Sequence, residues 1–196
     1  MKVTTYDIVV IGTQGVGKTI LNKTIRGLEY NKLIDDGTGK KLLPKVLFPI
    51  GDKQIRIKQG WDYGGSESFR YHYNKMIKRK TVIILVFNTE KYMNDTEERD
   101  HVLGRIVGLM EKRIDLKDVY IIGSYYDKIR DLYRRNDIKS HLLEDMKKEN
   151  EEIIIDDDHI RIMSFGRDEM IDKDRNVFVP DFTEIENFKI DLFNQG

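Results

Sequence analysis

Short continuous apolar runs alternate along this chain with longer stretches whose apolar positions recur every three or four residues. Asp7–Ile11 reads Ile-Val-Val-Ile after its aspartate and predicts a buried strand. Lys18–Leu28 sets Ile20, Leu21, Thr24, Ile25 and Leu28 on one face and predicts a helix. Asn31–Leu43 is polar and contains glycine, the pattern of a loop. Val46–Ile50 and Gln54–Trp61 predict two strands joined at the Gly51-Asp52 turn, and Ile55 and Ile57 alternate with Arg56 and Lys58, so the second has a wet side. Phe69–Lys78 predicts a helix and Thr81–Phe87 a buried strand. Asn94–Arg113 predicts a long helix with Val102, Leu103, Ile106, Leu109 and Met110 facing inward. Val119–Gly123 is another buried strand, and Ile138–Asn150 a charged helix with Leu142, Leu143 and Met146 inside. Ile160–Met163 predicts a short strand and Phe182–Phe193 a last helix. Arg167–Pro180 reads as a charged surface loop, and Asp156-Asp157-Asp158 as a solvated turn.

Continuous apolar strands separated by helices imply an α/β fold: a doubly wound, mostly parallel sheet with helices on both faces. There is no internal repeat, and 196 residues suit one domain spanning 1–196. Lys+Arg and Asp+Glu are both 34, so no global field attracts nucleic acid, and none is expected as a partner. The tyrosines at Tyr71/Tyr73 and Tyr125/Tyr126 accordingly read as packing residues. The absence of cysteine excludes disulfides, thiolate metal sites, a cysteine nucleophile and lipidation at cysteine. Residue 2 is lysine, which excludes N-myristoylation, so no lipid anchor of its own is expected. No apolar run reaches the roughly 18 residues of a membrane span and no signal peptide opens the chain, so the expected location is cytoplasmic. His72, His101, His141 and His159 lack metal-ligand spacing.

One segment carries specific chemistry. Gly12-Thr13-Gln14-Gly15-Val16-Gly17-Lys18-Thr19 fits the phosphate-binding pattern G-x-x-x-x-G-K-[ST], between a buried strand and an amphipathic helix. Backbone N–H groups of such a loop, running into Ile20 at the first helical turn, point at phosphate oxygens and the helix dipole adds to them. Gly12 and Gly17 permit close approach, Lys18 supplies a compact cation and the Thr19 hydroxyl suits Mg²⁺. A carboxylate follows about 45 residues on: Asp62, in Trp61-Asp62-Tyr63-Gly64-Gly65, stands where a strand ends and can hold Mg²⁺, and Gly65 can offer its N–H to a γ-phosphate.

Trp61-Asp62-Tyr63-Gly64-Gly65-Ser66-Glu67 resembles the Trp-Asp-x-Gly-Gly-Gln stretch of Ras-superfamily small GTPases, most nearly the Arf-like branch. The resemblance extends to the order of strands and helices over nearly the whole chain. It implies a six-stranded sheet with five helices, binding of GTP or GDP with Mg²⁺, and two switch segments, Asn31–Lys45 and Asp62–Lys80, through which a protein effector or regulator would dock. The family's water-orienting Gln falls at Ser66, whose hydroxyl is too short for that task. Gln14 stands where a glycine commonly faces the γ-phosphate. The switch threonine that binds Mg²⁺ aligns with Lys45, with Thr38 as the nearest threonine. The base motif Asn-Lys-x-Asp is written Ser124-Tyr125-Tyr126-Asp127: Asp127 would accept from guanine N1–H and the 2-amino group, and Tyr125 would stack on the base. Ser164-Phe165-Gly166 would bring a backbone N–H to guanine O6. The resulting expectation is a GTP-binding switch with slow hydrolysis, in which Lys18, Ser66 and Gln14 are the residues nearest the chemistry. Ser66, Gln14 and the missing threonine leave open a nucleotide-binding module without turnover. A phosphotransferase or ATPase is a third reading, opposed by Asp127.

Overall fold

In the computed structural model, which describes residues 3–28, 40–64, 77, 81–110, 118–165, 169–172, 177–180 and 182–194, the apolar runs form the interior of one sheet. Strand β1 spans Val3–Gly12 and leads into helix α1, Lys18–Ile25. Then come β2 (Lys40–Leu43), β3 (Val46–Ile50), β4 (Lys53–Ile57) and β5 (Gly60–Tyr63). Strand β6 (Thr81–Asn88) precedes α2 (Thr89–Asn94) and α3 (Thr96–Met110). The chain continues through β7 (Val119–Ser124), α4 (Arg135–Glu149), β8 (Ile160–Ile162), β9 (Glu169–Asp172), β10 (Val177–Pro180) and α5 (Thr183–Asn194).

The main sheet has six strands in the order β3-β4-β1-β6-β7-β8. Only β3 runs antiparallel, against β4. Alternation along each strand sends side chains to two cores. Val9, Ile11, Ile83, Leu85 and Ile121 meet α3 and α4 on one face, through Val102, Ile106, Ile138 and Leu142. Ile8, Val10, Ile84 and Ile122 meet α1 and α5 on the other, through Leu21, Ile25, Phe188 and Leu192. The predicted doubly wound six-stranded architecture with helices on both faces is therefore observed.

β1 changes partner along its length: Val3–Tyr6 pair with β4, and Asp7–Gly12 pair with β6. β4 leaves β1 after Ile57, with the Lys58 N–H still bonded to the Tyr6 carbonyl at 2.9 Å. The chain then turns into β5, which pairs antiparallel with β2. This ribbon corrects two expectations. Lys40–Leu43 is strand and not loop, because β5 supplies a hydrogen-bonding edge that local sequence does not announce, and Gln54–Trp61 is broken at Lys58-Gln59. The predicted loop Arg167–Pro180 contains a second ribbon, β9 paired with β10. The long helix predicted at Asn94–Arg113 is capped afresh at Asp95, whose carboxylate accepts from the N–H groups of Glu97 and Glu98, which splits α2 from α3. The Asp156–Asp158 turn becomes a short 3₁₀ turn, with Asp157 paired to Lys139 at 2.9 Å. The helix predicted at Phe69–Lys78 lies outside the described residues apart from Ile77, as do Thr38, Gly65, Ser66, Glu67 and Gly166. Among the described residues no helix is long and apolar enough to cross a membrane.

Candidate functional site

The loop between β1 and α1 is shaped by two glycines that nothing larger can replace. Gly12 has φ +151° and its missing Cβ would strike the Val86 carbonyl of β6; Gly17 has φ +90° and its missing Cβ would enter the Phe165 ring. Gly17 caps α1 with no side-chain hydrogen bond, and the first turn holds no acidic residue. The N–H groups of Lys18, Thr19 and Ile20 thus face outward without an intrahelical acceptor, the arrangement that receives an anion. Val16 is buried in the α1–α5 core and anchors the loop, while Gln14 and Gly15 are exposed at its tip.

Lys18 is only 5% exposed and donates to the Thr13 carbonyl at 2.5 Å. Burial lowers its pKa to about 8, the Asp62 carboxylate opposes that and the charge of Arg105 adds to it. The loop therefore holds a desolvated cation that an incoming anion would relieve. Thr19 Oγ1 donates to Asp62 Oδ2 at 2.5 Å, and Asn22 Nδ2 donates to Oδ1 at 3.4 Å. Asp62 is 6% exposed, so this hydroxyl–carboxylate pair is a sheltered oxygen site adjacent to the loop and fits a hard divalent cation. Lys41, not Lys45, faces Asp62 across the β2–β5 ribbon; Lys45 is exposed ahead of β3. On the far side, Thr13 donates to Glu98 Oε1 of α3 at 3.0 Å.

Across from the phosphate loop lie the turns after β7 and β8. Ser124 donates to the Phe87 carbonyl at 2.9 Å and its own carbonyl accepts from Thr89 at 2.5 Å, which fixes the strand end. Tyr125 takes a left-handed backbone (φ +61°), and its hydroxyl donates to the Gly15 carbonyl at 2.5 Å. Its ring is thus tied across to the phosphate loop by its far end, a role the stacking expectation did not contain. Asp127 follows in a 3₁₀ turn, with Oδ1 buried and without a hydrogen-bond partner among the described residues. An orphaned buried carboxylate oxygen is costly unless a ligand's donors meet it. The Ser164 N–H is already taken by Glu184 Oε2 at 3.0 Å, and Glu184 also pairs with Arg135, whose guanidinium lies 4.5 Å over the Tyr126 ring. That brace joins the two loops and leaves Phe165, packed on Gly17, as the neighbour of the phosphate loop.

A family profile described as Ras of Complex, Roc, domain of DAPkinase matches residues 7–114. The chain belongs to the Roc family. The match covers the phosphate loop, both ribbon strands and α3, so this end of the Roc site is shared by family; the base end, from Tyr125 onward, rests on the geometry above. The family found is Roc within the Ras-like GTPases and not the Arf-like branch, so the Trp61–Gly65 likeness is local. Among solved structures, RocCORdC of Methanosarcina barkeri Roco2 bound to GDP is similar, with TM-score 0.57 and 18% identity. It covers 100% of this Roc chain, which spans 50% of that one. At that identity the likeness is one of fold.

The structure brings Lys18, Thr19 and Asp62 together and ties Tyr125 to the phosphate loop at Gly15. Sequence reasoning missed Asn22, Lys41 and Glu98. Asn22 had a signal, since it lies one turn after Thr19 on the same helix; the other two meet the site only through tertiary contacts.

Proposed function

We propose that this Roc domain is a guanine-nucleotide switch that holds GDP or GTP with Mg²⁺ and hydrolyses GTP slowly. The observation that carries the reading is the buried, unpartnered Oδ1 of Asp127. Guanine offers N1–H and a 2-amino group to such an acceptor, and adenine offers neither pattern. The phosphate loop through Ile20 would take the phosphates, Lys18 their charge, and Phe165 N–H the guanine O6. Thr19 and Asp62 would hold Mg²⁺, which neutralises phosphate charge when bound. The GDP in the Methanosarcina structure supports the same choice. The domain would span residues 1–196, and the two switch segments would engage a protein partner. Leu42 and Trp61, opposed in the ribbon and both exposed, suit that use.

Hydrolysis is read as slow because Ser66 replaces the side chain that orients the attacking water, with Gln14 beside the γ-phosphate position. Calorimetric titration with GDP, GTP, ADP and ATP in Mg²⁺ tests the base preference. Guanine nucleotides are expected to bind more tightly, and Asp127→Asn to shift preference toward xanthine nucleotides. Equal affinity for ATP and GTP refutes the reading.

A further inference from the structure

Arg26 closes α1, yet it is only 3% exposed. Its Nη1 donates to two carbonyls, Pro44 at 3.2 Å and Lys58 at 2.8 Å. Pro44 follows β2 and Lys58 precedes β5, so both carbonyls lie at the same end of the ribbon, beside the Leu43–Gly60 pair. Nη2 is buried with no hydrogen-bond partner among the described residues, and a Cβ on Gly60 would come within 2.9 Å of it. Burial lowers the guanidinium's pKa to about 10 against the opposing charge of Asp7, so it remains a cation at neutral pH. A buried cation with a partly unmet hydrogen-bond fork is unfavourable, and its geometry is not offset by any gain from burial alone.

The other end of the ribbon carries Asp62, which meets Thr19 and Asn22 of the same helix. Helix α1 therefore grips the ribbon twice: by Arg26 at the elbow and by the Thr19–Asp62 pair beside the phosphate loop. We propose that Arg26 is a positioning residue for the metal-side carboxylate, bolting the elbow of the ribbon to α1 so that Asp62 stays in register with Thr19. This inference rests on the guanine-nucleotide reading above. Without the bolt the ribbon pivots, Asp62 parts from Thr19, and a divalent cation loses its shared seat. The phosphate loop, built from β1 and the start of α1, keeps its form.

Release of a fluorescent GDP analogue is measured with excess Mg²⁺ and with EDTA, for the parent, Arg26→Met, Arg26→Lys, Gly60→Ala and Asp62→Asn. The EDTA rate divided by the Mg²⁺ rate reports coupling to the cation, and the EDTA rate reports the loop and base site alone. Arg26→Met is expected to lower the ratio about fivefold, the effect of losing one such brace. Arg26→Lys should recover part of that loss, because it keeps a charged donor. Gly60→Ala should lower the ratio with the arginine still present, since its methyl displaces Nη2; it carries the test if Arg26→Met does not fold. Asp62→Asn sets the floor, and the EDTA rate stays near the parent's in the Arg26 and Gly60 variants. An unchanged ratio in Gly60→Ala and in the folded Arg26 variants overturns the inference. So does an equal change in both rates, which reduces Arg26 to general stability. A parent that binds GDP in neither condition overturns the nucleotide reading itself.

Discussion

Replacing Lys18 by methionine should stabilise the protein stripped of nucleotide while abolishing its response to nucleotide. In the folded state burial lowers the Lys18 pKa to about 8 from 10.5. The unfolded chain holds that proton with ordinary affinity, so at pH 7 the folded state carries an unfavourable term of about 3 kcal/mol. Methionine retains the apolar stem and removes the charge. It also loses the bond to the Thr13 carbonyl, worth about 1 kcal/mol, which leaves a net gain of about 2 kcal/mol. For a chain of this size that is a rise in Tm of about 4–8 °C. The pH dependence has a definite sign. Between about pH 8 and 10.5 the unfolded chain binds more protons than the folded one, so the parent's stability rises with pH across that window and is lost as pH falls through 8. The variant lacks that rise. Denaturation of stripped protein in urea at pH 7 and at about pH 9.5 separates the two behaviours. Adding Mg²⁺ and GDP at a hundredfold excess over Kd should then stabilise the parent by about 2.7 kcal/mol and the variant far less. A stripped variant less stable than the parent, or parallel pH slopes, would refute the reasoning and mean that the lysine is already compensated without ligand.

Tyr125→Phe removes the hydroxyl tied to Gly15 and should weaken GDP binding by about 1 kcal/mol, roughly fivefold, read by calorimetry; unchanged affinity would show the tether to be incidental. Gly17→Ala places a methyl in the Phe165 ring at a left-handed backbone position and should eliminate measurable GDP binding in the same titration. Tyr92→Phe leaves Asp145, which accepts from the Tyr92 hydroxyl at 2.9 Å, with Lys148 and Arg99 among the described residues, and should lower unfolding free energy by about 1–2 kcal/mol in urea melts. Ser66→Gln should raise the single-turnover rate of bound GTP above a parent rate near the family's unassisted value of about 10⁻⁴ per second; a parent that turns over quickly would contradict slow switching.

The inner strands were legible because burial on both faces leaves no room for a polar residue. Val82–Phe87 and Val119–Ile122 therefore read the same in one dimension as in three. The phosphate loop was legible because each of its parts is adjacent in sequence. Lys40–Leu43 was not, since two lysines and two leucines show no alternation and become a strand only when β5 offers its edge. The β9–β10 ribbon hid behind charge for the same reason. Asp127 could be singled out because a buried strand leads to the short turn that holds it. For Tyr125 the sequence suggested a stacking ring; its left-handed backbone and the tie from its hydroxyl to Gly15 appear only in three dimensions. Arg26, Asn22 and Glu98 look like ordinary polar helix residues until their partners, from 18 to 85 residues away, are known.

The departures from the small-GTPase pattern exchange one physical device for another at the same place. At Tyr125, where the small-GTPase pattern has a lysine, a neutral hydroxyl ties the turn after β7 to the phosphate loop, so the tie adds no charge near Lys18, whose pKa burial already lowers to about 8. In the β2–β5 ribbon a lysine faces the sheltered carboxylate: Lys41 is opposite Asp62, and residues so paired project from one face of a ribbon with Cβ atoms about 5 Å apart. A lysine at that register position would disfavour a divalent cation at Asp62 until another anion arrives, because two positive charges would then share one neighbourhood. Phosphates reverse the balance by adding negative charge on the Thr19 side. On the guanine-nucleotide reading proposed above, Mg²⁺ and nucleotide would then arrive together, and the ribbon, anchored at its elbow by Arg26, would register whether they have.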